Sequence, residues 1–166
     1  MAVKPIILFP NPLLKQISQK IKNPKHPAAQ AMMQDITDSF YANPGVGLAA
    51  PQISLLWRMI VVDTRRHPKF GKYSHGLLQL YNPQILEHSG KKSGREGCLS
   101  IPDYIARISR FEKIIVQAQN LAGETIILQT RGFEAVCLQH EIDHLDGILI
   151  FDRIRSIRSD LFRRKI

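Results

Sequence analysis

His140-Glu141-Ile142-Asp143-His144 constrains the fold of this chain more than any other segment, because its chemistry requires a helix. Positions four apart share one face of an α-helix, so both imidazoles can turn toward a single metal ion with Glu141 close by. Arg131-Gly132 opens that helix, and Phe133, Val136, Cys137, His140, Glu141 and His144 fall on or beside one face before Gly147 ends it. Such a face is largely apolar apart from its ligands, so it has to be packed against other elements. The rest of the chain must surround this helix and supply any further ligand.

Several short strands are expected to do the surrounding. Met59-Ile60-Val61-Val62-Asp63 is rich in β-branched residues and predicts a buried strand. Residues 77–81, 84–87, 114–118 and 125–129 read as further strands, the last two forming a hairpin across Asn120-Leu121-Ala122-Gly123. Ahead of them, Ala29, Met32, Met33, Ile36 and Phe40 follow helical spacing from Pro27 to Ala42, with Asn43-Pro44-Gly45 as the stop. Helices segregated from strands argue for an α+β fold: antiparallel sheets around a central motif helix, an N-terminal amphipathic helix and a short basic C-terminal helix. Residues 64–76 read as an exposed loop with no assigned chemistry.

At 166 residues, 44% hydrophobic and 22% charged, the chain has the size and balance of one catalytic domain, taken as 1–166. The apolar stretch at 5–10 is too short and proline-bounded for a signal peptide core, and no run approaches membrane-spanning length, so a cytoplasmic location is expected. Cys98 and Cys137 then remain thiols or bind metal. The net charge is +9, and a tail, 153–166, holds six basic residues, Arg153, Arg155, Arg158, Arg163, Arg164 and Lys165. Such a tail either keeps the chain soluble or docks on an anionic partner such as the ribosome. Gly45-Val46-Gly47 lacks the continuation of a phosphate-cradling loop, which argues against a nucleotide cofactor.

Two imidazoles need a third ligand. The string through His144-Leu145-Asp146-Gly147 follows a familiar zinc-protease pattern, but Ile150 stands where that pattern requires a third His. No Glu follows Glu141; Asp146, Asp152 and Asp160 are the remaining downstream carboxylates. Upstream, Cys98 lies in Glu96-Gly97-Cys98-Leu99-Ser100, and a thiolate with two imidazoles leaves a fourth position open, as a catalytic site needs. Cys137 reads as a packing residue, and His26, His67, His75 and His88 as surface residues.

Gly45-Val46-Gly47-Leu48-Ala49-Ala50-Pro51-Gln52, Glu96-Gly97-Cys98-Leu99-Ser100 and His140-Glu141-Ile142-Asp143-His144-Leu145-Asp146-Gly147 together resemble, in order, the three signature motifs of peptide deformylase. That resemblance implies Cys98, His140 and His144 as metal ligands, Glu141 as general acid and base, and Gln52 with the Leu99 N–H as oxyanion donors. It implies that Gly45, Val46, Gly47 and Gly97 line a strand-like substrate groove, and that Phe133, Val136 and Cys137 wall a methionine pocket. The activity implied is removal of formyl from N-formylmethionyl nascent peptides with release of formate. The implied cofactor is one divalent ion, natively ferrous iron, with zinc, nickel or cobalt able to take the same ligands. A departure is Ile105, where many relatives carry an Arg that meets the nascent peptide; Arg107 and Arg110 are retained nearby. Two rivals remain: a metalloprotease with a downstream Asp ligand, and a basic ribosome- or RNA-binding protein with a structural metal.

Overall fold

The computed structural model describes residues 3–70 and 73–164. Helix α1, Pro27–Ala42, starts where expected because Pro27 occupies its first turn and the His26 ring nitrogen accepts the Ala28 N–H at 3.2 Å. It buries Ala29, Met33, Ile36 and Phe40 against a five-stranded antiparallel sheet of order β1-β2-β3-β6-β7. The strands are β1 (Gly47–Ala49), β2 (Met59–Val62), β3 (Leu78–Ser89), β6 (Lys113–Gln119) and β7 (Thr125–Arg131). Helix α2, Gly132–Leu145, covers the opposite face.

All four residues of β2 are buried, and alternation divides them between two cores. Met59 and Val61 join the cluster of α1; Ile60 and Val62 join Ala135, Leu138, Ile142 and Leu145 of α2. A strand covered on both faces reads as an unbroken apolar run, which is why it was legible. Each such side chain stabilises the fold by about 1.5–3 kcal/mol when removed from water, so this strand ties the two helices to one sheet.

A second antiparallel sheet, β4-β5-β8, comprises Lys92–Cys98, Ile101–Arg110 and Leu161–Arg163. Its inner face, with Cys98, Ala106 and Ile108, packs on Leu14, Leu149 and Ile150. No strand is expected from the sequence over β4 or β5. The expected strands 77–81 and 84–87 are one strand, β3, with register shifts at Tyr81/Gln84 and Ile85/Glu87. The Asn82-Pro83 turn signal is absorbed into an irregularity: Asn82 sits at φ 51°, and its amide bonds both the N–H and the carbonyl of Ile21 at 2.8 Å. The C-terminal helix is reduced to single turns, α3 (Ile150–Arg153) and α4 (Ile157–Asp160), followed by β8 rather than more helix. Lys165 of the basic tail, and Gly71 and Lys72 of the expected loop, lie outside the described residues.

The end of α2 is closed by a Schellman arrangement. Gly147 N–H donates to the His144 carbonyl at 3.2 Å and Ile148 N–H to that of Asp143 at 2.9 Å. Gly147 has φ +69°, and a Cβ there would meet the Lys15 carbonyl oxygen at 2.5 Å. The N-terminal segment is thereby clasped to the helix end, and Ser18 N–H donates to the Leu145 carbonyl at 2.8 Å.

Candidate metal centre

Three donor groups converge between the second sheet and α2. Cys98 ends β4 at a register break between Gly97 and Cys98, while His140 and His144 lie one turn apart on α2. Their ligand atoms all fall within 4.8 Å of one another, and Cys98 Sγ is 3.2 Å from His144 Nε2. His140 Nδ1 bonds Glu96 Oε2 at 3.0 Å, which leaves its Nε2 as the available donor. The side chains of Glu96 and Cys98 share a face of β4 because they are two residues apart. One strand therefore supplies both a candidate ligand and the carboxylate that orients a second candidate, the arrangement by which metal sites fix imidazole geometry.

Behind Glu96 runs a buried ionic chain. Arg110 donates to both Glu96 carboxylate oxygens at 2.8 and 3.0 Å and to Asp143 Oδ2 at 2.5 Å. Arg153 closes on Asp143 from outside. Burial opposes ionisation of Glu96, but the bonds from His140 and Arg110 outweigh it and lower its pKa to about 2. Arg110 thus faces inward as a structural cation rather than toward a substrate. Glu96 lies within the Glu96–Ser100 motif and Asp143 within the helix string, but the sequence implies neither role. Period-two alternation from Cys98 could have found Glu96; nothing local marked Arg110.

The electrostatics separate the two cysteines. Burial opposes the Cys98 thiolate, but the adjacent His144 and His140 outweigh it and hold the thiol well below its ordinary range. Cys137 is driven well above it by burial and then by Glu141 and other carboxylates. Only Cys98 therefore presents the charge of a metal ligand. His140 is held well above the usual imidazole range: burial opposes this, and the Cys98 and Glu96 bonds overcome it. Glu141 is pushed up to about 7 by burial, and its Oε2 is buried without a hydrogen-bond partner, as is His144 Nδ1.

Gln52 closes one side. Its Oε1 accepts the Ala49 N–H at 2.9 Å, which turns Nε2 toward Ser100 Oγ at 3.2 Å and Cys98 Sγ at 3.7 Å. Gly47 is backed by Glu141 so closely that a Cβ would lie 2.8 Å from the carboxyl carbon, and Gly45 is packed by Leu99. Val46 and Phe133 are half-buried against the α2 core, Val136 is half-buried, and Cys137 is buried within that core. His67 and Phe70 pack on the Phe133 ring at centroid distances of 5.0 Å each. The downstream carboxylates are occupied elsewhere. Asp146 pairs with Arg58 and Asp152 with Lys15, both at 2.6 Å, and Asp160 accepts from the Arg155 and Ser156 backbone. No fourth protein ligand joins Cys98, His140 and His144 among the described residues. A thiolate and two imidazoles without a fourth protein donor fit an open, catalytic divalent-metal site.

The sequence profile of polypeptide deformylases matches residues 3–160. The chain belongs to this family. Its activity is hydrolytic removal of the formyl group from N-formylmethionyl nascent peptides, and the family is metal-dependent. The peptide deformylase of Syntrophobacter fumaroxidans is 39% identical over 165 residues, covering 99% of this chain and 94% of the relative. Among solved structures, the peptide deformylase of Legionella pneumophila superposes with a TM-score of 0.85 at 33% identity, covering 95% of this chain and 89% of that one. The Met-Ala-Ser-bound class I type b peptide deformylase of Acinetobacter baumannii gives 0.86 at 32% identity, covering 92% and 99%. Neither the protease nor the RNA-binding alternative finds support in these deformylase relatives. Among the described residues no helix is long and apolar enough to cross a membrane.

Proposed function

We propose that Cys98, His140 and His144 hold one divalent ion, natively ferrous iron, and that Glu141, Gln52 and the Leu99 N–H carry out deformylation around it. The single observation behind this reading is the convergence of three donor atoms within 4.8 Å beside a buried carboxylate oxygen that has no partner. When bound, a divalent ion supplies Lewis acidity that acidifies water and polarises a carbonyl. Glu141 accepts a proton from the attacking water and later delivers it to the departing amine, so a single carboxyl acts as base and then acid. Its raised affinity for a proton suits both halves of that cycle. Gln52 Nε2, held by the Ala49 contact, and the Leu99 N–H donate to the oxygen on which charge develops, each contributing about 3 kcal/mol in the transition state.

Gly45, Val46, Gly47 and Gly97 line the groove for the peptide backbone in this reading, and Phe133, Val136 and Cys137 wall the methionine pocket. Residues 1–166 act as one catalytic domain in the bacterial cytoplasm. Formate release from formyl-Met-Ala-Ser by anaerobically purified protein, with metal analysis, tests the assignment. Cys98→Ala should lose the ion and the activity together, and Glu141→Gln should lose activity with the ion retained. Full metal content in the Cys98 variant would refute the ligand set, and oxygen-stable activity without iron would refute the native metal.

The exposed tail residues Arg155, Arg158 and Arg163 support a ribosome contact. Arg153 is committed to Asp143, and β8 is paired with β5, so truncation would damage the fold. Neutralising the three exposed arginines together should instead weaken salt-sensitive ribosome binding. Binding unchanged by that substitution would refute the contact.

A further inference from the structure

The outer face of the β4-β5-β8 sheet carries charge that the chemistry above does not use. Side-chain alternation turns Glu96, Cys98, Ala106, Ile108 and Arg110 inward and leaves Arg95, Gly97 and Arg107 on the other side. Phe162 of β8 lies on that outer face, with the Arg95 and Arg107 guanidinium carbons 4.5 and 5.4 Å from its ring centroid. Arg164 is anchored by its N–H, which donates to the Asp103 carbonyl at 2.8 Å. Its side chain reaches back across the sheet, so that Nη2 enters the space a Cβ would fill on Gly97 and Cζ lies 3.7 Å from that point. A cation therefore rests on the residue that immediately precedes Cys98.

Among the described residues, no carboxylate lies within ion-pair distance of Arg95, Arg107 or Arg164. β4 is also an outer strand of its sheet, and such an edge pairs with an extended peptide through its backbone while alternate side chains choose what fits. A peptide whose formyl end is at the metal centre and whose chain leaves past Gly97 brings its second and third residues beside the Arg164 guanidinium. Scattered surface arginines are ordinarily just solvated. Two of these, Arg95 and Arg107, converge on one ring, and Arg164 lies on the glycine next to Cys98.

We propose that Arg164, supported by Arg95, is a specificity residue that favours substrates carrying a carboxylate side chain at the second or third residue. The inference rests on the deformylase activity and on the groove assigned to Gly97. An exposed ion pair contributes only a fraction of a kcal/mol, so the expected preference is about two- to fivefold in kcat/KM, carried by KM and screened by salt.

The test compares C-terminally amidated peptides, so that no terminal carboxylate competes. Formyl-Met-Ala-Glu-amide and formyl-Met-Glu-Ala-amide are each measured against their Gln counterparts at low and high salt. The wild-type enzyme should prefer Glu in at least one pair, Arg164→Gln and Arg95→Gln should reduce that ratio toward one, and Lys113→Gln on the other sheet should leave it intact. A ratio of one in the wild type, or a ratio that Arg164→Gln preserves, overturns the proposal. Calorimetric binding of the deformylated Glu and Gln peptides asks the same question without turnover. Failure to release formate from any of the peptides would count against the deformylase reading, and the binding pair would still decide the role of Arg164.

Discussion

Replacing Gly47 by Ala tests whether the close approach of β1 to Glu141, the proposed base, is functional. The added methyl would sit 2.8 Å from Glu141 Cδ and 2.9 Å from Cγ, where carbon atoms come to rest at about 3.5–4.0 Å. Glu141 must then withdraw by more than half an ångström. It is 5% exposed on a helix packed against the sheet, so it has little room to do so. Overpacking of this kind costs roughly 1–3 kcal/mol of stability, and the low end is expected here because the atom that moves is a side-chain end. Activity should suffer more, since a displacement of about 1 Å in a catalytic group costs on the order of 100-fold. Formate-release kinetics should therefore show kcat down roughly 10- to 100-fold, with the metal content unchanged because no ligand is touched. In a Glu141→Ala background the same methyl should cost no stability, as the group it strikes is gone. A Gly47→Ala enzyme with kcat within twofold of wild type would refute the reasoning.

Four further outcomes follow from the ionic chain and the thiols. Glu96→Gln removes the carboxylate behind His140 and should weaken metal binding about 10- to 100-fold in a chelator competition. Glu96 also gives the fold an acid limit. Its pKa lies below the unfolded value of 4.5, at about 2, so its contribution is complete above 4.5 and drains away as pH falls toward 2; acid denaturation of Glu96→Gln should lack that component. Arg110→Met removes the buried cation shared by Glu96 and Asp143, leaving them only His140 and the exposed Arg153, and should cost about 3–5 kcal/mol in denaturant unfolding. With the metal chelated, a thiol reagent at neutral pH should label Cys98 and spare Cys137, as peptide mapping would show.

The legible parts of the molecule were those whose pattern has one cause. The limits of α1 could be read because Pro27, the apolar spacing and Asn43-Pro44-Gly45 agree, and the β6–β7 hairpin because its turn falls where the register places it. The second sheet escaped because its outer face carries Arg95 and Arg107 while its inner face also holds charge, Glu96 and Arg110, so neither period nor polarity marks a strand. The long β3 was divided because Asn82-Pro83 is locally a turn, and only the tertiary bonds to Ile21 make it an irregularity within a strand. At the site, residue types marked the three donor side chains that the fold brings together. Their support is long-range: Glu96 is 44 residues from the His140 it orients, and Arg110 is 33 from Asp143.

The closure of α2 at Gly147 bears on how steadily the centre is held. Helix ends fray, and His144 belongs to the last turn, where loosening would carry an imidazole away from its partners. The bond from Gly147 N–H ends on the carbonyl of His144 itself, and the Lys15 backbone presses on the far side of that glycine. The entropy of fraying is thus removed during folding rather than at metal capture. The glycine that let the motif pass for a protease string records a need common to any enzyme that places a ligand so near a helix end: the end must not move.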